Sequence, residues 1–247
     1  MHNHILELET FMQKLIWTAA AVMTGVVVNA HFANLEKAKL TTYMAQLRST
    51  ATSPMLCQGV LVQPNFALFT RACAEYYDTA SKVVVAPTQI NGRLDGGESI
   101  QVLKYHYSVN STLDFAMVEL AQPSKFPPVR IMWDNVDPGK LVWLRGWLPY
   151  NNTLTTLVET TVEVLPNDKC HAKLGRPMFD YQGCSANNNI DKCSSYIFGS
   201  LVIEISGTDF FVGTMSLYDC MGSPKLQLFN RLPAGRSFIE PFLSKGT

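Results

Sequence analysis

The sequence predicts an all-β protein, a barrel or sandwich of many short strands. Short runs rich in Val, Ile, Phe and Leu recur from about Tyr43 onward, clusters of turn-forming residues separate them, and no long stretch carries helical periodicity. Of the 247 residues, 47% are hydrophobic and 16% charged, enough apolar content for a sizeable core and too much for a disordered chain. Length alone leaves one large domain or two small ones open.

In chain order, the first 30 residues read as a secretory signal. Met12-Gln13-Lys14 gives a cationic start, Leu15 to Val28 an apolar run, and Val28-Asn29-Ala30 a small-residue cleavage site. The run falls short of the roughly 20 apolar residues that span a bilayer, so a membrane anchor is the rival reading. Glu7 and Glu9 suit such a start poorly, which points to Met12 rather than Met1 as the initiator. Residues 31–42 form an N-terminal segment and 43–247 the folded domain.

Candidate strands are Gly59–Val62, Ala67–Thr70, Lys82–Ala86, Ile100–His106, Phe115–Leu120, Leu141–Arg145, Leu157–Val164, Leu201–Ile205, Phe210–Met215 and Leu226–Arg231. Asn91-Gly92, Asp95-Gly96-Gly97, Pro127-Pro128, Pro138-Gly139 and Ser206-Gly207 punctuate them. Only the end reads as helix: Phe238 and Phe242, with Ile239 and Leu243, repeat at i and i+4, and Pro241 makes that helix short or distorted.

Twenty basic and twenty acidic residues cancel, so no clustered positive charge points to nucleic acid or an anionic membrane. The six cysteines, Cys57, Cys73, Cys170, Cys184, Cys193 and Cys220, all follow the leader. An even count in an exported chain favours disulfides, and spacing alone leaves every pairing open. Zinc is the weaker reading: there is no C-x-x-C pair, and His31, His106 and His171 form no ligand cluster. No other metal or cofactor is indicated. Asn110-Ser111-Thr112 and Asn151-Asn152-Thr153 are glycosylation sequons beside polar or turn-like segments.

One stretch orders the rest: Asp191-Lys192-Cys193-Ser194-Ser195-Tyr196-Ile197-Phe198-Gly199-Ser200-Leu201-Val202. Its frame resembles the nucleophile loop of trypsin/chymotrypsin-like serine proteases, D-S-C-Q-G-D-S-G-G-P-L-V. Further segments match in the family's order. Cys57-Gln58-Gly59-Val60-Leu61-Val62 resembles C-G-G-x-L-I, and Ala67 to Cys73 stands where W-V-L-T-A-A-H-C is expected. Asp114 to Leu120 resembles D-I-A-L-L-x-L, and Arg145-Gly146-Trp147 the G-W-G segment. Gly213 to Tyr218 resembles G-I-V-S-W-G, and Leu228 to Leu232 V-Y-T-R-V. The resemblance covers about Tyr43 to Leu243. It implies two six-stranded antiparallel β-barrels with a short C-terminal helix, and the bridges Cys57–Cys73, Cys170–Cys184 and Cys193–Cys220.

The same resemblance implies a disarmed site. Hydrolysis of this type needs a serine nucleophile, a histidine base, an orienting aspartate and oxyanion donors. Asp114 stands at the aspartate, Ala72 at the histidine and Ile197 at the serine. A methyl group cannot take a proton and an isoleucine side chain cannot attack. Ser194 and Ser195 precede the nucleophile position and have no histidine in the matching place. Asp114 is therefore expected to serve local hydrogen bonding. Tyr196 replaces the aspartate that receives the new N-terminal amine in active members. Asp191 falls at the base of the specificity pocket, where Tyr218 and Gln227 are expected to fill the space and Lys192 to neutralise the charge.

Tyr43 to Thr52, Asp95 to Val102, Gln122 to Phe126 and Phe238 to Leu243 also resemble the glucanase inhibitor proteins secreted by plant-pathogenic oomycetes, protease-like chains without an intact triad. That implies a monomeric apoplastic effector that binds host endo-β-1,3-glucanases and suppresses glucan-elicited defence. The alternative is an inactive binding module for another secreted partner, a protease-inhibitor decoy or an adhesin.

Overall fold

The computed structural model describes residues 36–37, 41–90, 93–95, 97–110, 112–150, 153–186, 199–216 and 226–243. The leader (1–30), Asn151, the loop carrying Asp191, Cys193 and Ile197, and the segment carrying Tyr218 and Cys220 lie outside the described residues.

In chain order come β1 (Glu36–Lys37), β2 (Met44–Arg48), β3 (Cys57–Gln63), β4 (Phe66–Phe69), helix α1 (Arg71–Tyr76) and β5 (Lys82–Val85). Next are β6 (Thr88–Ile90), β7 (Arg93–Asp95), β8 (Glu98–Tyr107), β9 (Ala116–Leu120) and β10 (Arg130–Ile131). The second half holds β11 (Leu141–Tyr150), β12 (Thr153–Leu165), helix α2 (Asn167–Leu174), β13 (Gln182–Ala186), β14 (Gly199–Ile205), β15 (Thr208–Met215) and β16 (Leu226–Arg231). A 3-10 turn (Leu232–Gly235) then leads into helix α3 (Arg236–Leu243).

The first barrel closes in the order β2-β3-β4-β9-β8-β5. The second runs β12-β11-β14-β15-β16-β13 and closes where β13 returns to β12, through Glu163↔Ala186, Val164↔Ser185 and Leu165↔Cys184. Neighbouring strands within both rings are antiparallel, so each is a closed six-stranded antiparallel barrel, the architecture that the protease resemblance implies. Closure pairs both edges of every strand within each ring. Outside the second ring, β1 pairs antiparallel with β12 and β10 parallel with β15.

The candidate strands all fall inside observed ones, apart from end residues such as Thr70 and Ala86. The sequence reading left out β2 and β13, both barrel strands, and placed helix only at the C-terminus. The structure corrects this with α1 and α2. Helix α2 carries conventional end signals that the strand count obscured. Pro166 precedes it, Asp168 sits in its first turn, and Gly175 ends it at φ 67°, a left-handed conformation suited to glycine.

One apolar core fills the first barrel with Leu47, Val60, Leu68, Val83 and Met117, and reaches Trp147, Val202, Phe211 and Ile239 of the second half. Each barrel also places a glycine beneath a cross-strand phenylalanine. Gly59 faces Phe69 across β3–β4, and Gly183 faces Phe229 across β13–β16. A Cβ on Gly183 would lie 2.3 Å from the tip of the Phe229 ring, inside van der Waals contact. Gly183→Val is therefore expected to cost about 2 kcal/mol through overpacking, read as a shifted midpoint in urea. A pairing with Phe229→Leu should recover part of the loss.

Between the barrels sits a buried charge clasp. Arg145 on β11, 1% exposed, donates from Nε to Glu159 at 2.7 Å and from Nη1 to Asp209 at 2.6 Å. The same Nη1 donates to the Tyr43 hydroxyl at 2.6 Å, and that hydroxyl donates to Asp209 at 2.9 Å. Burial acts to lower the Arg145 pKa, but Tyr43, Asp209 and Glu159 outweigh it and hold the guanidinium above its ordinary value. Helix α3 supplies a second tie. The Phe242 ring lies 5.3 Å from Phe66 and 4.9 Å from His106, both of the first barrel, and Gln63 Nε2 donates to the Leu243 carbonyl at 2.5 Å.

Candidate functional site

Helix α1 and the β8–β9 connection bring Ala72 and Asp114 together. Thr70 precedes α1 without a side-chain cap, leaving the amides of its first turn in need of acceptors. Asp114 supplies one: the Ala72 N–H donates to its Oδ1 at 2.7 Å, and the Arg71 backbone also bonds the carboxylate. The position is held from behind by Phe115, which is fully buried against Gly235. Asp114 is thus an N-cap supplied from a distant segment, and the negative charge sits where a helix N-terminus favours it.

The other carboxylate oxygen accepts from Asn230 Nδ2 at 3.2 Å, and the same Nδ2 lies 3.4 Å from Thr214 Oγ1. Asn230 stands on β16 opposite Thr214 on β15 and is almost fully buried. The sequence reading placed Asn230 inside a matched segment but gave it no role. The signal was available, since an asparagine in an otherwise apolar buried strand needs a polar partner.

Burial pushes the Asp114 carboxyl above its ordinary range, while the Ala72 amide, Asn230 and Arg71 pull it back. Its folded-state pKa therefore exceeds the unfolded one. The group's contribution to stability is fully present below the unfolded pKa and is lost as pH rises through the raised value. Asp114→Ala strands the α1 amide and the Asn230 amide, and is expected to destabilise the protein by about 2 kcal/mol. Asp114→Asn should also remove the loss of stability with rising pH that the raised carboxyl contributes, leaving a steeper acid limb in urea melts at a series of pH values.

These residues open onto a cleft of about 490 Å³, lined by Arg71, Ala72, Asp114, Phe179, Ser216 and Asn230 among others. Arg71 pairs with Glu75 at 3.1 Å and donates from Nη1 to the Ser108 carbonyl at 2.8 Å. Ala72 also borders a second, largely apolar cavity of about 370 Å³ with Met55, Leu56, Tyr77 and Met215. Ala72, at the position that the resemblance gives to the general base, lines both cavities and has only a methyl side chain.

Among the described residues, no histidine lines the cleft. His106 pairs with Glu119 at 2.8 Å beneath Phe242, and His171 is exposed on α2. No cluster of three His, Cys, Asp or Glu side chains able to hold a metal occurs among the described residues. The bridges Cys57–Cys73 and Cys170–Cys184 are formed, the first joining β3 to α1 and the second α2 to β13. Gln227 is buried on β16 beside Ser185. Within the described residues no helix is long and apolar enough to cross a membrane.

No protein-family model matches the chain. Among curated proteins, it is 32% identical over 142 residues to glucanase inhibitor protein 1 of Phytophthora infestans, a match covering 52% of this chain and 54% of that protein. Glucanase inhibitor protein 2 of the same organism is matched at 33% identity over 141 residues, so the chain spans about half the length of these two relatives. Glucanase inhibitor protein 4 of P. infestans is matched at 32% identity over 192 residues, 71% of this chain and 74% of that protein. That extent of likeness on a shared frame makes the chain a member of the glucanase inhibitor protein family.

Proposed function

We propose that the chain is an exported, catalytically inactive serine-protease homologue that binds and inhibits endo-β-1,3-glucanases of a plant host. By sparing wall glucans from cleavage, it would suppress the defence that their fragments elicit. The names of its relatives support the target. One observation supports the inactivity: the Asp114 carboxylate, which accepts from the α1 amide at 2.7 Å and from Asn230, stands beside a methyl where a base belongs. With alanine at position 72 there is no imidazole there for the carboxylate to orient, and an alanine accepts no proton. With Ile197 at the nucleophile position, attack has no oxygen to start from. The surface loops of a rigid double barrel remain free to bind a partner.

The reading is tested by adding purified protein to a host glucanase at micromolar concentration. Co-precipitation and slowed glucan turnover are expected, with no labelling by a fluorophosphonate probe. Absence of a complex defeats the glucanase reading, and a pull-down from apoplastic fluid then identifies the other secreted partner. Labelling lost on Ser194→Ala or Ser195→Ala would defeat the inactivity. The third bridge, Cys193–Cys220, belongs to the same proposal, and non-reducing peptide mapping tests it.

A further inference from the structure

We propose that Asn110 accepts an N-linked oligosaccharide that stands at the lip of the Asp114 cleft and keeps large molecules out of it. The inference rests on the reading that the chain is exported. Asn110 is exposed in the loop after β8 and opens the sequon Asn110-Ser111-Thr112. The Thr112 N–H and hydroxyl both donate to Asn110 Oδ1, at 3.0 and 2.7 Å. The Leu113 N–H closes a turn onto the Asn110 carbonyl at 3.0 Å, and the Ser108 hydroxyl donates to the same carbonyl at 3.1 Å. With its oxygen engaged, the exposed side chain has Nδ2 as its remaining polar atom. Because most of these bonds lie within four residues, the turn does not wait for either barrel to close.

In the transfer step, Nδ2 bonds to C1 of a sugar carried on a lipid diphosphate. The C1–O bond breaks with its electron pair going to the diphosphate, and the amide proton passes to a base of the transferring enzyme.

Two observations place the sugar. Thr112 and Asp114 line the same cleft, and Arg71, which pins this loop through Ser108, lines it from α1. The neighbouring Val109 is 101% exposed, an isolated apolar side chain that the nonpolar face of a sugar ring would cover. A glycan on Nδ2 therefore rises beside the mouth of the cleft that Phe179, 52% exposed on the α2–β13 connection, also lines.

The test expresses the full chain in a eukaryotic secretory host. A parallel preparation carries a heterologous secretion leader in place of residues 1–30. Protein from the medium is treated with an amide-cleaving glycosidase in heavy-oxygen water and mapped by mass spectrometry. Heavy aspartate at position 110 is expected, and Asn110→Gln and Thr112→Val should each abolish it. For access, Phe179→Cys is labelled with a small maleimide and with a polymer-tethered one. Removing the sugar is expected to speed polymer labelling several-fold and leave small-probe labelling unchanged. Unmodified Asn110 in exported protein overturns the proposal, as does polymer labelling at the same rate with and without the sugar. Export only from the heterologous leader would count against the leader reading and leave the mapping at Asn110 decisive.

Discussion

Replacing Arg145 with methionine is expected to lower the unfolding free energy by about 3–5 kcal/mol. For a domain of this size that is a fall in Tm of roughly 10 °C. The guanidinium bonds Glu159, Asp209 and Tyr43 at once while almost wholly buried. Methionine fills similar volume but takes the guanidinium from two carboxylates, and the weaker compensation of that buried charge carries most of the penalty. The control is the triple variant Arg145→Met, Glu159→Gln, Asp209→Asn. With no ionised group left behind, it should recover much of the loss. An Arg145→Met protein that melts within about 2 °C of the parent would show that the clasp does not hold the barrels together.

Removing the Cys57–Cys73 bridge is expected to cost on the order of 3 kcal/mol, from the chain entropy restored to the unfolded state over a separation of 16 residues. The double variant Cys57→Ala, Cys73→Ala is the clean test, since a single replacement leaves a thiol free to exchange with other bridges. Because the bond ties β3 to α1, its loss should also loosen the Ala72–Asp114 contact and raise hydrogen exchange at the Ala72 amide. Secretion yield is expected to fall with stability. Normal yield and an unchanged denaturation midpoint would count against the bridge as a main support of the first barrel.

Strands built from apolar β-branched and aromatic residues were legible in the sequence because burial demands those residues. Strand β2 was not, since its buried positions include Gln46 and Arg48: Arg48 Nε donates to Gln46 Oε1 at 2.8 Å and Nη1 to the Ser53 carbonyl at 2.7 Å. Burial lowers that arginine's pKa to about 10, because desolvation inside the barrel disfavours its charge. Strand β13 reads Gln182-Gly183-Cys184-Ser185-Ala186, small residues admitted because Phe229 covers them. Helix α1 is six residues long, too short for periodicity to emerge. At the site, Asp114 and Ala72 were legible through the motif frame. The capping of α1 by Asp114 and the part played by Asn230 were not, because both depend on segments distant in sequence meeting in space.

Helix α3 fixes the order in which the molecule can be completed. Its Ile239 and Phe242 belong to the wall of a barrel whose first strand begins at Met44. During synthesis that barrel has all its own strands long before α3 emerges, yet the surface around Phe66 and His106 stays uncovered until then. Domains that emerge first usually fold first. Here the earlier half is left with an uncovered apolar patch until α3 is made, a surface on which a chaperone could act.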